Sequence, residues 1–149
     1  SMADRLNELS EVSVKEAEEG DVLEKGHVYV APGGMHMEVV KAHGNTHRIK
    51  LDDLPPIGGL RPCANIMFDS LAKTDYDEII CIVLTGMGAD GTNGILSLNR
   101  TKPIHVIAQD AQTCVVYGMP SAIAEAGMVD EVVPLTAVAK TIIKNVGVK

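Results

Sequence analysis

The residue with the clearest chemical potential is Asp90, which follows an apolar run at residues 79–84 and stands among Gly86, Gly88 and Gly91. An apolar run followed by a glycine-rich turn predicts a buried strand, a tight turn and a helix. Loops at the carboxyl end of a parallel strand open the crevice where ligands and catalytic groups gather, at a topological switch point. Asp90 is therefore the first candidate for a catalytic carboxylate.

Two other roles fit the same residues. As a helix N-cap, Asp90 would accept backbone N–H bonds and gain from the helix dipole, the commonest use of Asp at such a position. Alternatively, Gly86, Gly88 and Gly91 have the G-x-G-x-x-G spacing of a dinucleotide site, and Asp110 ends a second apolar run 19 residues later. Against the dinucleotide site, the charge of Asp90 would lie where that fingerprint holds a pyrophosphate, and like charges repel.

Other reactive side chains give weaker patterns. His43 and His47 stand four residues apart, but the Gly-Asn pair between them predicts a turn, so these histidines are expected on a hairpin surface, not around zinc or nickel. His105 is expected in a strand, as a packing or surface residue. No serine has a G-x-S-x-G elbow, and Cys81 falls in a buried strand where a thiol is usually inert. The residues alone thus indicate an acid with no nucleophile, no metal and no cofactor.

Composition sets the class of protein. A chain of 149 residues suits a single domain over 1–149, with Ser1 before Met2 indicating a tag remnant. The net charge of −7 argues against nucleic-acid binding, and no apolar stretch of membrane length or charged leader is present. The odd number of cysteines, without a C-x-x-C pair, argues against disulfides and zinc and favours a reducing cytoplasm.

The elements that must position Asp90 follow from periodicity. Alternating strand and helix patterns after residue 63 predict an α/β, doubly wound and mostly parallel sheet with helices on both faces. A short turn between two apolar runs adds an antiparallel hairpin. The predicted helices end near residue 10 or cover about 63–72, up to 99, 120–127 and 136–146, and the predicted strands are 12–17, 27–31, 35–41, 47–51, 79–84, 104–108 and 129–133.

Several ordered motifs resemble the catalytic domain of the chemotaxis protein-glutamate methylesterase, CheB. The resemblance covers nearly the whole chain, and the motifs keep the family's order. They are residues 14–17 (VKEA), 20–21 (GD), 28–34 (VYVAPGG), 61–62 (RP), 85–91 (TGMGADG), 107–110 (IAQD), 114–120 (CVVYGMP), 125–127 (EAG) and 129–135 (VDEVVPL).

The resemblance implies specific roles. Asp90 matches the aspartate of a Ser-His-Asp triad, which orients the histidine and stabilises its imidazolium form. Met87 matches a position whose backbone N–H helps to bind the oxyanion. Gly86, Gly88 and Gly91 then serve tight backbone geometry instead of a pyrophosphate. The implied activity is hydrolysis of glutamate methyl esters, with glutamine deamidation as a second reaction, on the cytoplasmic helices of methyl-accepting chemoreceptors.

The same resemblance predicts what the isolated chain lacks. The family's serine and histidine lie on loops ahead of the segment matched by residues 3–6, and a receiver domain precedes them. We therefore expect a truncated, carboxy-terminal part of the domain that is close to inactive alone. Strands left unpaired would favour self-association through a sheet edge. A module that binds the receptor without turnover is the alternative function.

Overall fold

The computed structural model describes residues 1–147 and divides the chain into two compact units, Ser1–Asp75 and Tyr76–Lys149. Each unit combines strands with helices. Within the described residues, no helix has both the length and the apolar character needed to cross a membrane.

The first unit joins a parallel strand pair to an antiparallel hairpin. β1 runs parallel to β2, and β3 pairs with β4 in antiparallel register, with Lys41 opposite His47 next to the turn. Ala17, Val39 and Ile49 form its buried apolar cluster. Its elements are α1 (Met2–Leu9), β1 (Ser13–Glu16), β2 (His27–Val30), β3 (His36–Lys41), β4 (His47–Asp52), α2 (Ala64–Ser70) and a 3-10 helix at Leu71–Lys73.

The second unit is a three-stranded parallel sheet with intervening helices. The strand order is β5-β6-β7, and the central strand β6 is buried without interruption from Val106 to Gln109, as expected where both faces are covered. Ile95, Leu98, Ile107 and Ile123 lie in its core. Its elements are β5 (Ile79–Val83), α3 (Thr92–Asn99), β6 (Ile104–Gln109), α4 (Met119–Glu125), β7 (Glu131–Val133), a 3-10 helix at Leu135–Ala137 and α5 (Val138–Val146).

The predicted α/β class with an added antiparallel hairpin is confirmed. Among the strands, the boundaries differ most at β7, which begins at Glu131 and not at residue 129. The cause is Asp130, whose carboxylate accepts the Val106 N–H at 2.7 Å while its own N–H donates to the Val106 carbonyl at 2.9 Å. The Asp130 carboxylate thus takes the place of a backbone carbonyl where the β6–β7 pairing would otherwise begin. The strands β5, β6 and β7 lie side by side in their sequence order. The reversal of strand order that marks a topological switch point therefore does not occur among these three strands.

Candidate active site

The turn between β5 and α3 carries the predicted site residues. β5 ends at Val83, Gly91 is the N-cap of α3 with φ of 99°, and α3 begins at Thr92. The N-cap prediction for Asp90 is therefore wrong, because the cap position falls one residue later on a glycine whose left-handed backbone angle ordinary residues avoid. Asp90 is half-buried near the end of this turn, two residues before the helix begins. The local strand, turn and helix sequence is as predicted.

A second loop, residues 114–118, lies against this turn. The Gly86 N–H donates to the Val116 carbonyl at 3.0 Å, and the Gly86 carbonyl accepts from Gly118 at 3.1 Å and from Met119 at 2.9 Å. Gly86 and Tyr117 form a parallel bridge. The Gly86 peptide groups are thus occupied by protein partners, so this glycine fixes the loop pair.

Two of the glycines stand where a Cβ would overlap neighbouring atoms. A Cβ on Gly118 would lie 2.7 Å from the Gly86 carbonyl oxygen and 2.9 Å from the Gly88 nitrogen. A Cβ on Gly86 would lie 2.6 Å from the Met119 sulfur. Because the first overlap is with backbone, no side-chain rotation relieves it. The turn and the loop therefore pack as one unit at the carboxyl end of the sheet.

Met87 stands at the outside of the turn. Its side chain is 85% exposed, and Val115 on the facing loop is 91% exposed. Leu84, Val116 and Tyr117 are exposed as well. Met87 is therefore open to solvent, three residues before the half-buried Asp90.

Asp110, the carboxylate of the dinucleotide alternative, has a local partner. Its Oδ1 accepts from the Thr113 backbone N–H at 2.9 Å and from the Thr113 hydroxyl at 2.6 Å. This is a turn stabilised by an Asp side chain, which is a common structural use of aspartate. The arrangement gives Asp110 a role in shaping the loop after β6.

The histidines correct one expectation. His47 is 4% exposed, so placing it on a hairpin surface is wrong, whereas His43 is exposed as expected; His36, the first residue of β3, is also buried, at 1% exposure. His36 Nε2 donates to the Pro55 carbonyl at 3.0 Å, and His47 Nε2 accepts from the Asp75 N–H at 3.0 Å. Both partners come from outside the hairpin and cover its inner face. Within residues 1–147, no group of three or more His, Cys, Asp and Glu side chains is placed to hold a metal.

His105 belongs to an ionic cluster, and Cys81 lies in the interior. His105 Nε2 contacts the Glu131 carboxylate at 2.6 Å, and Glu131 also binds Lys144 at 2.7 Å and Asn145 at 2.9 Å. These contacts, with Lys144 first, lower the pKa of Glu131 to about 2. Burial raises the pKa of the Cys81 thiol to about 11, which keeps it protonated and unreactive near neutral pH.

Sequence reasoning missed Gln109, the last residue of β6. The structure buries it to 1% exposure and places its amide against the residue that begins the turn, Thr85. A polar side chain at the end of an apolar run resembles an ordinary strand end. The available signal was its position at the carboxyl end of a parallel strand, since the turn that carries Asp90 also follows the carboxyl end of a parallel strand.

Comparisons with known proteins agree with this geometry. Residues 1–142 match the family model described as CheB methylesterase. The chain is 42% identical over 147 residues to a protein-glutamate methylesterase/protein-glutamine glutaminase of Geobacillus kaustophilus, and 48% identical over 146 residues to the protein of that name from Clostridium acetobutylicum. The matches cover 99% and 98% of this chain but 42% and 41% of these relatives, so the chain spans about two fifths of their length.

A solved structure gives the same result for the fold. The crystal structure of the Thermotoga maritima CheB methylesterase catalytic domain is similar with a TM-score of 0.89 and 38% identity. The match covers 96% of this chain and 75% of that chain. A family model over nearly the whole length and a shared fold at this identity lead to one conclusion. The chain belongs to the CheB methylesterase family.

Proposed function

We propose that the chain supplies the acid and oxyanion side of the active site of a protein-glutamate methylesterase. The observation that carries the proposal is the placement of half-buried Asp90 beside the exposed Met87 in one braced turn at the carboxyl end of β5. The names of the relatives state the reaction class, which is hydrolysis of glutamate methyl esters and glutamine amides. Chemoreceptors of chemotaxis are the proposed substrates.

The division of labour follows from the chemistry of acyl transfer. A serine from the part of the domain outside this match attacks the side-chain carbonyl, and a histidine takes its proton. Asp90 holds the histidine in the required tautomer and stabilises the imidazolium. The Met87 N–H donates to the oxyanion of the tetrahedral intermediate. Collapse releases methanol, or ammonia from glutamine, and water then frees the glutamate carboxylate.

A chimera tests this proposal. The matched 147-residue segment of the Geobacillus kaustophilus relative is exchanged for this chain, and methanol release is measured with methylated chemoreceptor. We expect turnover, and a loss of about 10⁴-fold for Asp90→Asn, because the amide leaves the histidine in the wrong tautomer. Asp53→Asn, in an exposed loop of the first unit, is the matched control. Turnover by Asp90→Asn within tenfold of the native chimera, at about the level of the control, removes Asp90 from the triad.

The 149-residue chain assayed alone is proposed to be nearly inactive. The resemblance to the family implies a nucleophile and a base ahead of the segment matched by residues 3–6, and the match to the Thermotoga maritima domain covers 75% of that chain. Losing a nucleophile costs on the order of 10⁶-fold in rate, because triad members act as a unit. Methanol release at the rate of the chimera contradicts this. Receptor capture by the isolated chain without turnover would instead favour the alternative of a receptor-binding module.

Self-association and a receiver domain are further proposals. Within residues 1–147, β5 has a hydrogen-bonded neighbour strand on one side only, β6. Such an edge recruits another strand, so we propose that the isolated chain associates with itself through β5. Light scattering at rising concentration tests this, and a monomer throughout contradicts it.

Regulation by a receiver domain is proposed for the parent enzyme. The test is to fuse a receiver domain to the chimera and to compare methanol release before and after the receiver domain is phosphorylated.

A further inference from the structure

The side chain of Gln109 is fully bonded in the interior of the second unit. It is 1% exposed, and its Oε1 accepts the Thr85 N–H at 2.8 Å. Its Nε2 donates to the Thr113 carbonyl at 2.8 Å and to the Thr113 hydroxyl at 3.2 Å. Burying an amide is unfavourable unless its polar atoms are paired, and here the oxygen and both N–H groups have partners. The amide therefore joins the end of β6 to two separate loops.

The bonds continue from Thr85 into the facing loop. The Thr85 hydroxyl donates to the Val116 carbonyl at 3.1 Å and accepts the Val116 N–H at 2.9 Å. The next residue, Gly86, donates its own N–H to the same carbonyl at 3.0 Å. With the two bonds accepted by the Gly86 carbonyl, Thr85 and Gly86 are thus fixed by six hydrogen bonds, one of which comes from Gln109.

The bonds on the other side of the amide reach further along the chain. The Thr113 hydroxyl donates to Asp110 Oδ1 at 2.6 Å and accepts the Leu135 N–H at 3.0 Å. With the Gln109 contact, this hydroxyl uses its one proton and both acceptor positions. Thr113 is therefore also held by Asp110 and Leu135, so Gln109 bonds to a loop residue that has anchors outside the turn.

We infer that Gln109 is a positioning residue for the hydrolysis proposed above. Its amide holds Thr85, two residues before Met87 and five before Asp90, at the start of the turn. Oxyanion donors act through preorganised geometry, and a misplacement of 1 Å remote from the reacting atoms can cost about 10²-fold in rate. The inference rests on the proposed function, since it assigns Met87 and Asp90 their roles in catalysis.

Glutamine is the side chain that the surroundings require. Its oxygen faces an N–H donor and its nitrogen faces two oxygen acceptors, so the two ends have opposite needs. Gln109→Glu keeps the size and the acceptor for Thr85 but sets a carboxylate against the Thr113 carbonyl. Gln109→Met keeps the length and removes both kinds of bond. Gln109→Glu thus removes the bonds to Thr113 alone, whereas Gln109→Met removes the bonds to Thr113 and the bond to Thr85.

The kinetic test uses the chimera. We expect kcat for methanol release to fall by about 10²-fold in Gln109→Glu, with KM for the methylated receptor changed less than about threefold, because the lost alignment matters in the transition state. Gln112→Glu is the matched control, since the same substitution falls on an exposed side chain three residues away. Rates are expressed per folded molecule by circular dichroism. A kcat for both Gln109 variants within twofold of the control overturns the inference.

Amide exchange in the 149-residue chain gives a readout that needs no activity. The acceptor of the Gly86 N–H is the Val116 carbonyl, which neither Gln109 variant alters. Faster exchange at Gly86, with unchanged exchange at Ala126 in the end of α4, shows that the turn itself has loosened. Native protection of Gly86 in Gln109→Met contradicts the inference. If the native chimera releases no methanol while Gly86 exchange rises, the proposed function fails and the structural link stands.

Discussion

Gly34 and Gly44 of the first unit serve a different purpose from Gly118 of the second unit. In the first unit, Gly34 and Gly44 have φ of 84° and 64°, and a Cβ at either would meet nothing within 4 Å. They provide backbone angles for turns. In the second unit, Gly118 has an ordinary φ of −88°, yet a Cβ there would overlap the backbone of Gly86 and Gly88. The first kind of glycine shapes its own loop, whereas the second permits two loops to touch.

This difference matters for the site because contact between loops is not a local property. The turn of the hairpin is closed locally, since the Ala42 N–H donates to the Thr46 carbonyl at 2.9 Å. The turn that carries Asp90 depends on a partner loop about thirty residues further along, as the separation of 31 between Thr85 and Val116 shows. We therefore expect substitutions at the hairpin turn to be tolerated. Substitutions in the loop that contacts the Asp90 turn should also disturb that turn.

The largest expected effect is that of Gly118→Ala. Alanine in place of glycine at a compatible angle usually stabilises a fold by at most about 1 kcal/mol. Here the new Cβ overlaps backbone atoms at 2.7 and 2.9 Å, and overpacking of this kind costs about 1–3 kcal/mol or more. We expect a net loss of about 2 kcal/mol in urea unfolding, from the difference of these terms.

Gly33→Ala in the first unit is the matched control. Gly33 has no positive φ, and its Cβ would meet nothing within 4 Å. We expect stability within about 0.5 kcal/mol of the native chain, as for other unobstructed surface substitutions. Equal losses for the two variants would break the distinction between the two kinds of glycine.

The next largest effect is expected for Thr113→Val, which keeps the shape of the side chain and removes its hydroxyl. Three hydrogen bonds are lost, those with Gln109, Asp110 and Leu135. Each partner keeps access to water or to another bond, so the expected loss is about 1–2 kcal/mol and not the sum of three buried bonds. Thermal unfolding measures it, with Thr46→Val at the hairpin turn as a comparison that removes one exposed bond. A smaller loss for Thr113→Val than for Thr46→Val contradicts the prediction.

A smaller, pH-dependent effect is expected at Glu131. Lys144, His105 and Asn145 lower the pKa of Glu131 from 4.5 to about 2 in the folded chain. A lowered carboxylate pKa contributes stability that is complete above the unfolded value and is lost as pH falls through the folded value. Glu131→Gln should therefore be less stable than the native chain at neutral pH, and the difference should shrink between pH 4.5 and about 2.

Urea midpoints at several pH values measure this difference. Glu11→Gln, at an exposed position of the first unit, is the control. A difference between native chain and Glu131→Gln that stays constant from neutral pH down to pH 2 would falsify the assignment of the Lys144 and His105 contacts.

Local sequence patterns predicted the elements that depend on nearby residues. The alternation before and after the Gly-Asn pair predicted β3 and β4, and the apolar run before Gly86 predicted β5 and the turn. The burial of His36 and His47 was missed because their partners, Pro55 and Asp75, lie 19 and 28 residues away. The alternation of residues within the hairpin strands does not indicate which distant residues pack against them.

The candidate site divides in the same way. The position of Asp90 follows from a strand, a turn and a helix, all contiguous in sequence, while its meaning came from resemblance to a family. Gln109 and Gly118 escaped notice because their significance arises from contacts with Thr85 and Gly86, across separations of more than 20 residues. The sequence thus predicted the position of the turn but not the residues that hold it, Gln109 and Gly118.

The smallest expected effect concerns Thr92, the first residue of α3. Its hydroxyl oxygen is buried and has no hydrogen-bond partner among residues 1–147. An unpaired buried hydroxyl destabilises the fold, whereas an apolar group of the same shape is neutral or favourable. Thr92→Val should therefore leave the stability unchanged or raise it by up to about 1 kcal/mol, opposite in sign to Thr113→Val.

The two threonines sharpen the comparison, because one substitution is made at two positions of the same unit. Thr113 uses every hydrogen-bonding position of its hydroxyl, and Thr92 uses none. Both variants lose one hydroxyl and gain one methyl group, so differences in the unfolded chain largely cancel. If Thr92→Val proves as destabilising as Thr113→Val, a partner for the Thr92 hydroxyl must exist in solution. If the signs differ, satisfied polar contacts, and not polarity itself, stabilise the loops around Asp90.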